Sequence, residues 1–319
     1  MCTLRPSSDQ RPLQDILDVP EPRATAEVCM PDGTGIALRR HGNPDGPRLV
    51  LSHGNGLAID LYYPFWSLLT DRFDVVLYDF RNHGWNVPGD PRSHNVATFV
   101  SDNDHVARGI DRHFGKKPWI GVFHSLSAVT ALNQEPPGGA AAALVLFDPP
   151  ILPPSGEPLE IDARWQKMRI AARLRPERYG SRRQFADMMT RSPMFARLRP
   201  GVADLASRVL LRPAREGDGY QLRCPPEYEA QIFEYIFAYN FTPDPAKIGC
   251  PVQVIGGDPT LAFSFFPSLD VSGLVSFHYD FVPGATHYLQ LENPEECVST
   301  MVEFLERQGL VEAAGIRPQ

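Results

Sequence analysis

Apolar runs and helical segments alternate along most of the chain. Short runs rich in β-branched and aromatic residues, each ended by a turn, predict strands at 26–30, 36–40, 48–52, 73–79, 119–124, 142–148, 251–258 and 275–281. Apolar residues at helical spacing predict helices at 58–69, 98–114, 128–133 and 294–308. Such alternation is typical of a mostly parallel sheet that helices cover on both faces. The pattern therefore predicts a doubly wound α/β fold that begins with a short antiparallel hairpin.

One long interval, residues 151–247, interrupts this alternation. Its apolar residues predict helices near 162–174 and 226–239, prolines break it up, and it contains no clear strand pattern. Because the interval lies between two predicted core strands, we expect a mainly helical cap over the carboxyl ends of the strands. The predicted domains are a flexible N-terminal extension at 1–25, an α/β core at 26–150 and 248–310, and the cap at 151–247.

The composition is that of a globular protein without a strong bias toward one class of partner. The chain has 319 residues, of which 43% are hydrophobic and 22% charged, so it can bury a large core. A net charge of −7 argues against a general binder of nucleic acids or anionic membranes. No apolar run reaches the roughly 18 residues of a membrane-spanning helix. The five cysteines form no C-x-x-C pair, which favours reduced thiols and a cytoplasmic protein.

Arginines are frequent in the first half of the inserted interval, among them Arg182 and Arg183. Runs of like charge are usually solvated faces, so we expect this face to balance the acidic remainder of the chain. A basic cap would also suit an anionic leaving group such as coenzyme A, which is the weaker interpretation.

Ser125 is the strongest functional signal in the sequence. The apolar run 119–124 ends at this serine, and a small-residue helical stretch begins directly after it. A serine at a sharp strand-to-helix turn presents its hydroxyl group at a helix N-terminus, where N–H groups and the helix dipole favour developing negative charge. Phe123 and Ser127 occupy positions where glycine is common in such turns. A serine that only caps the helix is the alternative interpretation.

Four segments, in order, make the chain resemble the α/β-hydrolase superfamily over residues 26–308. They are His-Gly-Asn-Gly at 53–56, Asp-Phe-Arg-Asn-His-Gly at 79–84, Phe-His-Ser-Leu-Ser at 123–127 and Pro-Gly-Ala-Thr-His at 283–287. They are similar to the superfamily's His-Gly oxyanion turn, its Asp-x-Arg-Gly-His-Gly segment, its nucleophile elbow and the loop that carries its catalytic histidine. Asn82 replaces a glycine of the second pattern. The resemblance implies an α/β-hydrolase fold with an inserted cap.

The resemblance also assigns roles to particular residues. It implies that Ser125 is the nucleophile and His287 the general base, with the backbone N–H groups of Asn55 and Leu126 as oxyanion donors. The Asn55 side-chain amide is a further candidate donor.

An acidic residue is expected to orient the imidazole of the base. Superfamily members usually provide it after the strand that corresponds to 251–258, and we therefore favour Asp258. Asp148, at the end of the strand 142–148, is the alternative acid.

These residues predict a serine hydrolase that cleaves a carboxylic ester, or less readily a thioester, through an acyl-enzyme on Ser125. We expect a small hydrophobic substrate, because the cap is rich in methionine and aromatic residues, although most of them should form the cap's own core: Phe185, Met188, Met189, Met194, Phe195, Phe233, Tyr235, Phe237 and Tyr239. No cofactor is expected, and no His/Cys/carboxylate spacing indicates a metal site.

Two other functions remain open on the sequence. One is a catalytically silent ligand-binding protein of the same fold, if the crowded turn at Phe123 and Ser127 rotates Ser125 away from His287. The other is a cofactor-independent lyase or peroxide-forming enzyme that uses the same three residue types.

Overall fold

The computed structural model describes residues 17–151, 158–238, 247–261 and 277–312. The predicted N-terminal extension, 1–25, lies mostly outside these residues. Its described end contacts the rest of the chain: Leu17 packs against the core, and Arg208 donates hydrogen bonds to the Leu17 carbonyl and the Asp18 carboxylate at 2.6 and 3.2 Å.

In the described part of the chain, eight strands form the main sheet, and they correspond to the eight predicted strands. Their bounds are β1 (Ala24–Cys29), β2 (Gly35–Gly42), β3 (Arg48–Ser52), β4 (Asp74–Tyr78), β5 (Trp119–His124), β6 (Ala143–Phe147), β10 (Val252–Gly257) and β11 (His278–Val282), with β7–β9 in the segment between β6 and β10. The last strand was predicted to start at 275, and residues 275–276 lie outside the described residues.

The strands lie in the spatial order β1, β2, β4, β3, β5, β6, β10, β11. β2 is antiparallel to both β1 and β4, and the remaining neighbours are parallel. β3, β4, β5, β6 and β10 are buried along their whole lengths, because helices cover both faces of a parallel sheet, and this explains their almost uninterrupted apolar sequences.

The helices are α1 (Tyr63–Trp66), α2 (Val96–Phe114), α3 (Leu126–Leu132), α4 (Pro158–Leu174), α5 (Arg182–Arg191), α6 (Val202–Val209), α7 (Pro226–Ala238), α8 (Leu289–Glu292) and α9 (Pro294–Arg307). The helix predicted at 58–69 is α1 flanked by two short 3₁₀ turns. The Asn95 side chain caps α2 by accepting a hydrogen bond from the Thr98 N–H at 2.9 Å. Among the described helices, none is long and apolar enough to cross a bilayer.

The insertion, by which we mean the described residues 158–238, contains α4 to α7 and a second sheet. Helices α4 and α7 pack against each other, as do α5 and α6. The strands β7 (Arg178–Tyr179), β8 (Leu211–Pro213) and β9 (Tyr220–Leu222) form an antiparallel sheet in the order β7, β9, β8. The expectation of an interval without strands was therefore wrong, because strands of two or three residues are too short for a recognisable alternation.

The candidate site residues follow the carboxyl ends of the parallel strands. His53 follows β3, Ser125 follows β5, Asp148 follows β6, and His287 lies in the loop after β11. Since these strands are parallel, the four residues gather at one edge of the sheet.

Candidate active site

Ser125 occupies the turn between β5 and α3 in an uncommon backbone conformation, with φ 52° and ψ −113°. A positive φ is costly for a residue with a Cβ atom, so the surrounding contacts must hold it in place. The Ser125 N–H donates to the Phe147 carbonyl at 3.0 Å, and the Ser125 carbonyl accepts from the Val129 N–H at 3.1 Å. These bonds fix the serine between strand and helix, as expected of a nucleophile elbow.

Neighbouring residues accommodate the two unusual residues of this turn. The buried Phe123 ring covers Gly121, where an added Cβ atom would lie 2.5 Å from the ring. Gly121 and Phe123 share one face of β5, so the glycine makes room for the phenylalanine. The Ser127 hydroxyl accepts from the His124 N–H and donates to the His124 carbonyl, both at 2.9 Å. Neither residue separates Ser125 from His287.

His287 connects Ser125 to a buried carboxylate. Its Nε2 lies 3.1 Å from the Ser125 Oγ, and its Nδ1 lies 2.5 Å from the Asp148 Oδ2. Asp148 is fully buried, and its backbone has a positive φ of 39°. With Nδ1–H donated to the carboxylate, Nε2 can accept the serine proton.

The sequence-based preference for Asp258 as the acid is corrected by this geometry. The Asp258 carboxylate accepts hydrogen bonds from the Thr260 N–H at 2.9 Å, the Thr260 hydroxyl at 2.6 Å and the Gly284 N–H at 2.8 Å. The hydrogen bonds from Thr260 and Gly284 lower the pKa of Asp258. Asp258 therefore holds the start of the loop that carries His287, whereas Asp148, the alternative acid, is the carboxylate on the imidazole.

The turn at 53–56 lies against the nucleophile. A Cβ atom added to Gly54 would lie 3.0 Å from the His124 ring and 3.3 Å from the Ser125 Cβ. Leu126 is the first residue of α3, so its N–H has no acceptor within the helix. The Asn55 Nδ2 donates a hydrogen bond to the Glu229 carbonyl of α7 at 2.9 Å, which commits one of its two N–H groups. The backbone N–H groups of Asn55 and Leu126 stay the predicted oxyanion donors.

A buried hydrogen-bond chain that sequence reasoning missed ties three parts of the site together. The Gly54 N–H donates to the Tyr62 hydroxyl at 3.1 Å, and this hydroxyl lies 2.7 Å from the His124 Nδ1. The His124 Nε2 lies 2.8 Å from the His287 carbonyl, to which it donates. Burial, with the charge of His287, holds the pKa of His124 well below its usual range. Neutral His124 thus links the turn at 53–56 to the His287 loop.

The site opens into a cavity of about 540 Å³ between the sheet edge and the insertion. Among the methionine and aromatic residues named above, those that line it are Met188, Met194, Phe195 and Phe233. Phe185 and Met189 belong to the packed core, as expected, and Tyr235 packs in a smaller cluster with Phe233. The side chains of Phe237 and Tyr239 lie outside the described residues.

Two charged side chains of the insertion meet inside this cavity. Arg175, at the end of α4, forms an ion pair with Glu229 of α7, and both line the cavity. Burial raises the pKa of Glu229, and the charge of Arg175 opposes that rise. A Cβ atom added to Gly56, whose φ is 71°, would lie 2.5 Å from the Glu229 carboxylate. Helix α7 is therefore in direct contact with the turn at 53–56.

One cluster of possible metal ligands was not recognised in the sequence. Donor atoms of His83, His94 and Cys224 lie within 4.8 Å of one another. However, the His83 Nδ1 donates to the Arg81 carbonyl at 2.9 Å, while its Nε2 accepts from the Gly56 N–H at 3.2 Å.

His94 is likewise committed to hydrogen bonding. The Asn82 Oδ1 accepts from the Gly89 N–H at 2.6 Å, which leaves the Asn82 amide nitrogen to donate to the His94 Nδ1 at 3.0 Å. The remaining His94 proton is then on Nε2. Neither imidazole of this cluster offers a free lone pair, so the donor set does not fit a metal ion.

Comparisons with curated proteins and solved structures bear on the fold more than on the substrate. An 80-residue stretch is 42% identical to a protein described as "Probable oxidoreductase EphD" from Mycobacterium bovis and Mycobacterium tuberculosis, and covers 25% of this chain and 14% of that protein. The chain thus matches only about one seventh of the length of these relatives.

Solved structures are similar over most of the chain. E-2-(acetamidomethylene)succinate hydrolase superimposes with a TM-score of 0.70 at 17% identity, covering 89% of this chain and 99% of that one. The enol-lactonase from Burkholderia xenovorans LB400 has a TM-score of 0.64 at 20% identity, covering 88% and 99%. At these identities the likeness concerns the fold alone.

A model of the family described as "Alpha/beta hydrolase family" matches residues 49–300. The match runs from β3 into α9 and includes the elbow at Ser125, Asp148 and the His287 loop. The family match and the predominantly parallel eight-stranded sheet point to the same fold. The chain therefore belongs to the α/β-hydrolase family.

Proposed function

We propose that the protein is a serine hydrolase that cleaves a carboxylic ester, or a thioester, of a small and largely apolar substrate. One observation carries the proposal: the line of contacts from the Ser125 Oγ through His287 to the Asp148 carboxylate, at 3.1 and 2.5 Å. A nucleophile, a base within hydrogen-bonding reach and a group that orients the base are what acyl transfer requires.

In the first half-reaction the Ser125 oxygen attacks the carbonyl carbon of the ester, while His287 Nε2 takes the serine proton. The carbonyl oxygen becomes an oxyanion, which the backbone N–H groups of Asn55 and Leu126 bind. When the carbon–oxygen bond to the alcohol breaks, His287 returns its proton to the leaving alkoxide. Asp148 stabilises the imidazolium that forms between these two steps.

In the second half-reaction a water molecule replaces the alcohol. His287 takes a proton from the water, whose oxygen attacks the acyl carbon, and the same N–H groups bind the second oxyanion. Collapse of this intermediate breaks the bond to Ser125, and the proton on His287 returns to the serine. The products are a carboxylic acid, an alcohol and the regenerated enzyme.

The insertion is proposed to act as a cap, with the division into a core at 26–150 and 248–310 and a cap at 151–247. Support comes from the apolar wall that it adds to the cavity, including Met188, Phe195 and Phe233, and from the contact between Glu229 and the turn at 53–56. A cavity of about 540 Å³ is of the size that holds a small organic molecule. The described cysteines are free thiols, which is compatible with the proposed cytoplasmic location.

Labelling with a fluorophosphonate, together with kinetics on short-chain activated esters, tests the proposal. Ser125→Ala and His287→Ala should lose on the order of 10⁴–10⁶-fold in kcat, and mass spectrometry should locate the label on Ser125 of the wild type. Ser192→Ala is the matched control, because Ser192 lines the same cavity but is not one of the three proposed catalytic residues. Folded protein that neither labels nor hydrolyses any ester would instead favour a non-hydrolytic protein of this fold.

A further inference from the structure

An ion pair interrupts the apolar wall that α4 and α7 add to the cavity at Ser125. Most side chains that these two helices contribute to the cavity are apolar: Met168, Ala171, Ala172, Leu174, Phe233 and Ile236. Arg175, directly after α4, and Glu229 of α7 also line the cavity and form an ion pair with each other. The wall thus has one polar point, to which both helices contribute.

This pair lies against the turn that carries the predicted oxyanion donor Asn55. A Cβ atom added to Gly56 would lie 2.5 Å from the Glu229 carboxylate, and the Asn55 Nδ2 donates to the Glu229 carbonyl at 2.9 Å. When the Asn55 N–H binds the carbonyl oxygen of an ester, substrate atoms a few bonds from that carbonyl are therefore within reach of the pair.

Each member of the pair keeps one terminal atom available to a ligand. The Arg175 Nη2 donates to the Glu229 Oε2. In the part of the chain that the structure describes, the Arg175 Nη1 and the Glu229 Oε1 form no hydrogen bond, and neither belongs to the fully buried polar atoms. The side chains keep 23% and 13% of their surface exposed. A donor and an acceptor are thus presented together on residues that line the cavity.

Stability alone does not explain a pair at this position. Removing two charges from water costs about as much as their attraction returns, so a buried ion pair is often no more stabilising than apolar residues of similar size. Helices α4 and α7 are also joined outside the cavity, where Arg173 pairs with Glu227 at 2.7 Å. The pair in the cavity therefore calls for an explanation in terms of the ligand.

Charge decides which ligand group fits. The two opposite charges cancel, and the carboxylate of Glu229 would repel an anionic group. Lys167 also lines the cavity, but it is exposed and lies two helical turns before Arg175, about 12 Å along α4. An apolar group would leave the free donor and acceptor without partners. A neutral group that both accepts and donates a hydrogen bond satisfies the two atoms at once.

We propose that Arg175 and Glu229 bind a hydroxyl group of the substrate, a few bonds from the scissile carbonyl. The hydroxyl oxygen accepts from the Arg175 Nη1, and its proton is donated to the Glu229 Oε1. This inference rests on the proposed ester hydrolysis and adds the class of substrate to it: a hydroxylated ester whose remaining surface is apolar. Arg175 and Glu229 are then specificity-determining residues of the insertion.

Hydrolysis of matched esters tests the proposal. Ethyl 3-hydroxybutanoate and ethyl butanoate differ by a hydroxyl group on the acyl side, and 2-hydroxyethyl butanoate and ethyl butanoate differ by one on the alcohol side. In one of these pairs we expect the wild type to have an about 10–100-fold higher kcat/KM for the hydroxylated ester. Arg175→Met/Glu229→Met should bring this ratio close to one. Both residues are replaced together because folds often tolerate apolar residues in place of a whole buried ion pair.

The matched control is Arg173→Met/Glu227→Met. It makes the same substitutions in the exposed pair between the same two helices, and neither residue lines the cavity. Its ratio should equal that of the wild type. Because each ratio compares two esters within one variant, a general loss of stability changes both rates alike and leaves the ratio unchanged.

Binding gives a second measurement that needs no turnover. In Ser125→Ala, saturation-transfer NMR should show at least about tenfold tighter binding of the preferred hydroxylated ester than of ethyl butanoate, and adding Arg175→Met/Glu229→Met should abolish the difference. This difference in binding, together with an absence of hydrolysis in the wild type, would support the hydroxyl site and contradict the proposed hydrolase.

Three results would overturn the hydroxyl site. The first is equal binding and equal turnover of hydroxylated and plain esters by the wild type, which would leave the proposed hydrolase intact if the esters are hydrolysed. The second is an equal loss of the ratio in Arg173→Met/Glu227→Met, which would assign the effect to the packing of α4 on α7. The third is a preference for ethyl hydrogen succinate over both hydroxylated esters, which would make the pair a carboxylate site.

Discussion

Asp148 and Asp258 end neighbouring parallel strands, yet only one of them reaches the imidazole. The chain turns at Asp148 with a positive φ of 39°, and this turn directs a fully buried carboxylate at His287. At Asp258 the carboxylate binds the backbone N–H groups of Thr260 and Gly284 instead. The backbone angles at the end of the strand direct the Asp148 side chain toward His287. These angles cannot be predicted from the residue types in the turn, so the sequence did not distinguish the two aspartates.

The two aspartates therefore provide a matched pair of substitutions. Asp148→Asn should lower kcat for ester hydrolysis by about 10⁴-fold, because an amide can neither hold the required imidazole tautomer nor stabilise the imidazolium. Asp258→Asn should leave kcat within a few-fold of the wild type, since the Asp258 carboxylate bonds to Thr260 and Gly284 and not to the imidazole. Steady-state kinetics on both variants, with melting temperatures to confirm folding, show which aspartate supports catalysis. A larger loss in Asp258→Asn would overturn the assignment of Asp148.

Between elements, the site is held by the chain of hydrogen bonds that runs from Gly54 through Tyr62 and His124 to His287. It joins the turn after β3, the 3₁₀ turn before α1, the end of β5 and the loop after β11. The members are far apart in sequence, and Tyr62 belongs to no motif of the family resemblance. We assign Tyr62 as a positioning residue, because its hydroxyl contacts the two turns that flank Ser125 rather than the reacting atoms.

Tyr62→Phe should therefore affect catalysis as well as stability. The change leaves the Gly54 N–H and the His124 Nδ1 without their partner, which costs about 1–3 kcal/mol of unfolding free energy, and we expect kcat to fall about tenfold with little change in KM. Tyr78→Phe is the control: this buried hydroxyl bonds to Asn103 at 2.9 Å, away from the site. It should destabilise the fold similarly and keep kcat, and an equal kcat in both variants would refute the positioning role.

At the scale of the whole molecule, the fold class and the positions of the core strands along the chain could be predicted, and Ser125 and His287 could be named as candidate site residues, because their signals are local. Each core strand is an apolar run with a turn at its end, and Ser125 and His287 lie where parallel strands bring their carboxyl ends together. Phe123, which weakened the prediction, is explained by Gly121 on the same strand face. The contact between Asn55 and Glu229 could not be predicted, because 174 residues separate them and no local pattern marks either one.

Buried histidines give the whole fold a dependence on pH. Burial lowers the pKa of His41 to about 4. Burial also lowers the pKa of His94, to about 3. Burial likewise lowers the pKa of His53, His83 and His124. In the unfolded chain a histidine has a pKa near 6.5. Below that pH the unfolded chain takes up protons that the folded protein excludes, so the unfolding free energy falls as the pH falls.

His41 allows this dependence to be measured at one site. Its contribution is fully present above about pH 6.5 and is lost as the pH falls toward 4, which amounts to on the order of 1–2 kcal/mol between pH 7 and pH 5. His41→Phe keeps an aromatic ring against Trp66, whose centre lies 4.8 Å away, but cannot take up a proton. Urea unfolding at both pH values should show a smaller loss of stability for this variant than for the wild type, whereas His113→Gln, at an exposed position, should keep the wild-type loss. An unchanged loss in His41→Phe would mean that protonation of His41 does not contribute to the dependence of stability on pH.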